Sequence, residues 1–258
     1  MEKVVFEKDG YLGIITINRP ERLNCFDYET LVQLREVVGQ IQMDKDIRAV
    51  MITGSGEKAF SAGADLKERR NLSEQEVRRN VRMIREVFNE IENLAPPTIA
   101  AINGYALGGG LELALVCDFR YVSESAVMGL TEVSWAIIPG AGGTQRLARL
   151  IGTSKAKELI LTARRVDAEK ALEMGIVNKV CLTGELMSEA AQLAEEIMAN
   201  GPLAVAQAKY AINHGNNSDL NTGLAIEAKA YEVIIPTEDR VEALEAFKEK
   251  RKANFKAR

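Results

Sequence analysis

Residues 98–123, TIAAINGYALGGGLELALVCDFRYVS, decide the fold. TIAAI reads as a short buried strand, the glycine run Gly108–Gly110 opens an apolar helix, and FRYVS reads as the next strand. Strand, small-residue loop, helix and strand in that order predict parallel β-α units. Their loops gather at the carboxyl ends of the strands, where α/β proteins hold ligands. One acid stands inside the apolar helix. Glu112 lies within its first turn, where the positive end of the macrodipole favours a carboxylate. Leu111, Leu113, Ala114, Leu115 and Val116 leave the helix almost no polar face, so it is expected to be buried all round. A buried carboxyl group must be paired, hydrogen-bonded or protonated, and proton transfer near neutral pH is one use of such a group. A structural, dipole-compensating acid is the other reading.

The same alternation extends toward the amino terminus. VVFEK and LGIITIN are β-rich runs separated by Asp9-Gly10, which predicts a hairpin. Asp27 caps a helix with Leu31, Leu34, Val37, Val38 and Ile41 at helical spacing, and IRAVMITG is a buried strand. EKAFSAGADLKERR is expected to be a loop. Ser73-Glu74-Gln75-Glu76 matches a capping box, opening a helix to about Leu94 with Val77, Val81, Ile84, Val87, Phe88 and Ile91 on one face. From Thr153 onward the pattern is mostly helical, with VNKVCL strand-like and EALEAFKEKRKANFKAR an increasingly basic amphipathic helix.

Bulk composition excludes several classes. The 258 residues are 47% hydrophobic and 27% charged, as in an ordinary globular protein, and the net charge of −4 sets up no field for nucleic acid or anionic membrane. Cys25, Cys117 and Cys181 have neither disulfide nor zinc spacing and read as small buried hydrophobes. The amino terminus lacks an apolar leader core and no apolar run approaches a membrane span, so the cytoplasm is the expected location. GxxxGGG lacks the dinucleotide pattern GxGxxG, and GxxxxGK[ST] is absent, so an oxyanion site of backbone N–H donors is expected at Gly108–Gly110. The loop Ser61-Ala62-Gly63-Ala64-Asp65 is a candidate for the second donor. In MGLTEVSWAIIPGAGGTQRL a second acid, Glu132, again stands in an apolar setting before a glycine loop and a helix. Two such acids suit paired acid and base work.

AFSAGADL, AINGYALGGGLELALVCDFR and TEVSWAIIPGAGGTQRL, in that order, resemble the enoyl-CoA hydratase (crotonase) family, and the resemblance runs from INRPERLN to AFKEKRKANF. It implies an α/β fold: a spiral of repeated ββα units over about 1–195, and a helical carboxyl-terminal region over 196–258 for trimerisation, with trimers pairing into a hexamer. It implies an acyl-CoA thioester substrate, coenzyme A being part of that substrate, and no metal or redox cofactor. Carried over, the oxyanion donors are the N–H groups of Ala64 and Gly109. Glu112 and Glu132 match both hydratase glutamates: the first orients and deprotonates water for attack at C3, and the second delivers a proton to C2. Gly140 and Gly143 match glycines beside the thioester and acids. Arg22, Leu23, Ala62, Asp65 and Leu66 match CoA contacts, as do Phe247 and Lys250 from a neighbouring subunit; read from residues alone, Lys250 is a solvated helix end. Thr131 and Ala136 stand where many short-chain hydratases have proline and glycine. GLTEVSWAIIPGAGG, AKELILTAR and GADLKER look closer to the methylglutaconyl-CoA hydratase branch, which includes an RNA-binding member.

Three readings follow: a short-chain 2-enoyl-CoA hydratase, a 3-methylglutaconyl-CoA hydratase, and an RNA-binding protein. The last is disfavoured. The first helix offers only Arg35 and Lys45, and Arg69, Arg70, Arg78, Arg79, Arg82 and Arg85 alternate with Glu68, Glu74, Glu76 and Glu86, as on a solvated helix. His214 reads as a helix-end cation, and Trp135 as a pocket wall or core residue.

Overall fold

The computed structural model describes residues 2–258, which contain ten strands and eleven α-helices. The strands are β1 (Val4–Asp9), β2 (Leu12–Ile17), β3 (Ala49–Gly54), β4 (Ala59–Ser61), β5 (Thr98–Ile102), β6 (Tyr105–Leu107), β7 (Phe119–Ser123), β8 (Val127–Gly129), β9 (Val166–Asp167) and β10 (Lys179–Cys181). The first seven helices are α1 (Tyr28–Met43), α2 (Leu66–Arg69), α3 (Glu74–Glu92), α4 (Gly109–Val116), α5 (Gly143–Ile151), α6 (Thr153–Leu161) and α7 (Ala168–Met174). Four more follow: α8 (Leu186–Met198), α9 (Pro202–Gly215), α10 (Leu220–Ile234) and α11 (Glu238–Glu249).

One sheet has the order β1-β2-β3-β5-β7-β10 and the other β4-β6-β8-β9. The expected hairpin forms, with β1 and β2 antiparallel about Gly10 at φ +57°, a left-handed value that glycine adopts without strain. From β2 to β10 the larger sheet is parallel. Successive strands step between the sheets: β3 then β4, β5 then β6, β7 then β8, each pair followed by α3, α4 or α5. This is the anticipated spiral of ββα units. Of the smaller sheet and α2, β4 and α2 fall in the expected loop EKAFSAGADLKERR, and β9 falls where the pattern reads as mostly helical. Three-residue strands carry too few alternations to register as a period.

The main core lies between the sheets and α1, α3 and α4, with Phe60 and Phe88 fully buried and Phe26 packed edge-on against Phe88 at 5.7 Å. On the other face of the larger sheet, Leu186, Ala190 and Ala194 of α8 cover Leu12, Met51 and Ile99. Asp27 and Ser73 cap α1 and α3 as expected, the latter with the full capping box. All eight residues of α4 are buried. That depth needs Gly110: a Cβ there would lie 1.9 Å from the Ser61 carbonyl oxygen. At the other end of α4, the buried Arg120 donates from Nη1 to the Cys117 carbonyl at 2.7 Å and from Nε to Ile176 at 2.7 Å, satisfying carbonyls left open at a helix terminus.

Helices α9 to α11 form an arm of different character. No residue of α9 is buried, and Leu220, Tyr231, Leu244 and Phe247 expose most of their apolar surface. The arm is tied back by the Lys209–Asp118 ion pair at 2.7 Å and by Arg48 donating to the Phe255 carbonyl at 2.8 Å. His214 stands inside the last turn of α9, stacked on Tyr210, one residue before the helix ends. The three cysteines are free, with Cys117 and Cys181 buried and Cys25 half-buried. Among the described residues no helix is long and apolar enough to cross a membrane.

Candidate active site

A cavity of about 700 Å³ opens between α2, α3, the start of α4 and the turn after β8, and it collects Ala64, Gly109, Glu112 and Glu132. Two loops bring the backbone donors together. Gly63 has φ +90°, and a Cβ on it would lie 2.9 Å from the Gly109 nitrogen, so the AGAD and GGG loops touch only because position 63 is glycine. Around Ala64 the neighbouring amides are all engaged: Ala62 N donates to Leu23 O, Gly63 N to Ser61 Oγ and Asp65 N to Phe26 O. Likewise Gly108 N donates to Gly129 O, and Glu112 N to Gly108 O. Gly109 is the first residue of α4, where a helix offers its N–H no internal acceptor. Among the described residues the Ala64 and Gly109 N–H groups are without acceptors, and both line the cavity.

The two acids are held differently. Glu112 is 3% exposed, and its Oε1 accepts from Ala141 N and Gly143 N, both at 2.8 Å. The approach depends on Gly143, where a Cβ would fall 3.0 Å from Oε1. Arg146 fixes that loop: it donates to the Ala141 carbonyl at 2.9 Å and, through Nε, to Glu92 of α3 at 2.8 Å. Burial raises the Glu112 pKa, and the two N–H donors oppose the rise. Hydrogen bonds to a charged group contribute about 1.5–3 kcal/mol each, so the two amides offset part of what desolvation costs the carboxylate.

Glu132 begins a single 3-10 turn, Glu132–Trp135, and neither carboxyl oxygen has a hydrogen-bond partner. Its Oε1 sits over Gly108, where a Cβ would lie 3.2 Å away. Burial, and then the nearby Glu112 charge, push its pKa up to about 7. With N–H donors on one carboxyl and none on the other, the charged form is better supported at Glu112 than at Glu132. The cavity therefore gathers two carboxyl groups of unequal hydrogen-bond supply and two free N–H donors.

Other expected residues divide. Ala62, Asp65, Leu66 and Gly140 line the cavity. Asp65 also has structural work: it pairs with Arg19 at 3.0 Å and caps α2 through Lys67 N at 3.0 Å. Leu23 adopts φ +51° and its carbonyl holds Ala62, while Arg22 is exposed beside it. Phe247 is 85% exposed and Lys250 ends α11; neither lines the cavity within one chain. Trp135 forms cavity wall at 62% exposure, and Ala136 takes a left-handed φ of +56°, a conformation that favours glycine. Val77, Val81 and Ile84 face the cavity, with Ile84 also packed against the core. The sequence does not single out Arg146 and Arg19, whose partners Glu92 and Asp65 lie 54 and 46 residues away, although Arg19 also pairs with the nearby Asp27.

Residues 7–258 match the profile of the family described as enoyl-CoA hydratase/isomerase. The chain is 45% identical over 252 residues to the short-chain-enoyl-CoA hydratase of Clostridium acetobutylicum, covering 98% of this chain and 97% of that one. It is 47% identical over 254 residues to the mitochondrial methylglutaconyl-CoA hydratase of Homo sapiens, covering 97% and 75%. The crystal structure of enoyl-CoA hydratase from Bacillus anthracis superposes with a TM-score of 0.98 at 49% identity, over 99% of this chain and all of that one. A match over nearly the full length, in sequence and in backbone alike, establishes that this chain belongs to the enoyl-CoA hydratase/isomerase family.

Proposed function

We propose that the protein adds water across the 2,3 double bond of a 2-enoyl-CoA to give a 3-hydroxyacyl-CoA. The observation that carries this reading is the asymmetric pair of carboxyl groups: Glu112 held by two N–H donors and Glu132 by none, in the cavity that also exposes the free Ala64 and Gly109 amides. The thioester oxygen accepts from those two amides, which stabilise the negative charge it gains as the double bond is attacked. Glu112 takes a proton from water as the oxygen bonds to C3, and Glu132 gives its proton to C2. Proton transfer from Glu112 to Glu132 through solvent restores the pair. Gly140 and Gly143 keep the loop beside the acids free of side chains. The CoA moiety is assigned to the rim at Arg22, Leu23, Ala62 and Leu66. The exposed apolar arm 196–258 is assigned to contacts between copies, which bring Phe247 and Lys250 to a neighbour's CoA site.

Loss of the enoyl chromophore of crotonyl-CoA tests the reading. Each of Glu112→Gln and Glu132→Gln is expected to lower kcat by about 10²–10⁴-fold with the circular dichroism spectrum unchanged. Near-normal turnover in either folded variant removes that residue from the mechanism.

A further inference from the structure

The two free amides are mounted differently. Gly109 opens α4, and that buried helix carries it. Ala64 lies between β4 and α2, inside neither, and a single isolated parallel bridge to Phe26 holds it. Phe26 N donates to Gly63 O at 2.8 Å and Asp65 N donates to Phe26 O at 2.9 Å. These bonds pass on either side of Ala64, so its own N–H faces away from Phe26. Two hydrogen bonds alone leave such a loop free to shift, and a donor to a reacting oxygen loses its effect when displaced by an ångström.

The buried side chain of Arg19 closes around this bridge. Its Nη1 donates to the Cys25 carbonyl, and its Nη2 lies 3.0 Å from Asp27 Oδ2 and 3.0 Å from Asp65 Oδ2. Cys25 and Asp27 flank Phe26, and Asp65 follows Ala64. One planar guanidinium grips both sides of the bridge at the neighbouring residues. The backbone of Arg19 is itself fixed: its N–H donates to Asn24 Oδ1 at 2.9 Å, and the buried Asn24 donates from Nδ2 to the Ala59 carbonyl of β4 at 2.7 Å. Removing the cation does more than delete contacts. The Asp27 and Asp65 oxygens are at most about 6 Å apart, because both touch one nitrogen, and without it the two carboxylates repel and part the segments that carry them. Lys3 pairs with Asp27 at 2.7 Å, whereas Arg19 is the one cation paired with Asp65 among the described residues.

We propose, on the basis of the hydratase reading above, that Arg19 is a positioning residue for the reaction: by clamping the Phe26–Ala64 bridge it aims the Ala64 N–H at the thioester oxygen. Arg19 does not line the cavity, so its effect passes through the backbone and not through substrate contact.

Kinetics and vibrational spectroscopy together test this. Arg19→Met is expected to lower kcat on crotonyl-CoA by about 10²-fold, as for a displacement on the scale of 1 Å. KM should stay within about threefold, because the lost interaction is one that strengthens in the transition state. Butyryl-CoA, isotope-labelled at the thioester carbonyl, does not react and reads the geometry directly. Bound to the wild-type protein, its C=O stretch should move to lower frequency as the oxygen accepts two hydrogen bonds, and Arg19→Met should lose about half of that shift, one donor of the two. Arg19→Lys keeps a charge between the carboxylates without the fork and should fall between them in kcat and in shift; it decides the matter if Arg19→Met does not fold. Wild-type kcat and a full carbonyl shift in either folded variant overturn the proposal, as does a loss confined to stability or KM, and the hydratase reading then stands. Turnover by the wild-type protein with no carbonyl shift overturns it too. No turnover of crotonyl-CoA by the wild-type protein sinks the hydratase reading itself.

Discussion

The two turns that carry the acids have opposite physical character. Glu112 sits in α4, a helix buried on every side, sealed by Arg120 at one end and set against β4 by Gly110 at the other. Glu132 starts a single 3-10 turn that ends on a strained Ala136 and carries the largely exposed Trp135. The charge belongs in the first environment, where two amides are fixed in advance to receive it. The proton belongs in the second, where nothing is. In the proposed reaction this difference in hydrogen-bond supply is what makes one residue type serve as base at Glu112 and as acid at Glu132.

The comparison can be broken most severely at the donors. Gly143→Ala puts a Cβ 3.0 Å from Glu112 Oε1 and 2.9 Å from Leu130 Cδ1. Either the carboxyl or the loop must move, and a displacement on the scale of 1 Å is expected to lower kcat by about 10²-fold. The chain should still fold at a cost of about 1–3 kcal/mol. Steady-state kinetics beside urea denaturation reads both, and an unaltered kcat would show that the position of Glu112 is not set by this loop.

A subtler break uses pH. The Glu132 carboxyl has its pKa raised from 4.5 to about 7 by burial and then by the Glu112 charge. As pH rises from about 4.5 to about 7, the unfolded chain loses this proton before the folded one, so folding stability declines across that window. Glu132→Gln lacks the decline and is expected to be more stable than wild type above pH 7 by about 1–2 kcal/mol after allowance for partial solvent access. Hydration by the wild-type protein should fall as pH passes about 7, because the C2 proton donor is being lost. Parallel stability profiles for the two proteins would refute the unsatisfied-carboxyl picture.

The smallest effect should come from Ala136→Gly. It relieves a φ of +56° and adds freedom to the unfolded chain, so the two contributions nearly cancel. The expected net change is within about 0.5–1 kcal/mol, readable as a small shift in the thermal midpoint. A loss of several degrees would show that the Ala136 methyl group packs.

Much of this was legible in the chain. The hairpin at Asp9-Gly10, the Ser73–Glu76 capping box, the strand at Thr98–Ile102 and the buried helix around Glu112 all follow from local spacing and composition. The smaller sheet did not, because β4, β6 and β8 have three residues each and depend on partners far along the chain. Periodicity found one face of α3 but could not divide it: Val87, Phe88 and Ile91 enter the core, whereas Val77, Val81 and Ile84 form cavity wall. A hydrophobic stripe reports removal from water, not what covers it. The motifs likewise marked Glu112 and set Gly143 beside the acids, but gave neither the Ala141 amide nor the two hydrogen bonds to Oε1.

Arg146 joins the loop over Glu112 to Glu92 and Asn89 on α3, the helix whose Val77, Val81 and Ile84 form cavity wall. Reshaping that wall to admit a different acyl chain tilts α3, and the tilt passes through the Arg146 guanidinium to the amides that hold the base. Selectivity and turnover are in this way mechanically linked. A laboratory selection for new substrates along Val77, Val81 and Ile84 should accumulate compensating changes at Asn89, Glu92 or Arg146, residues that no substrate touches.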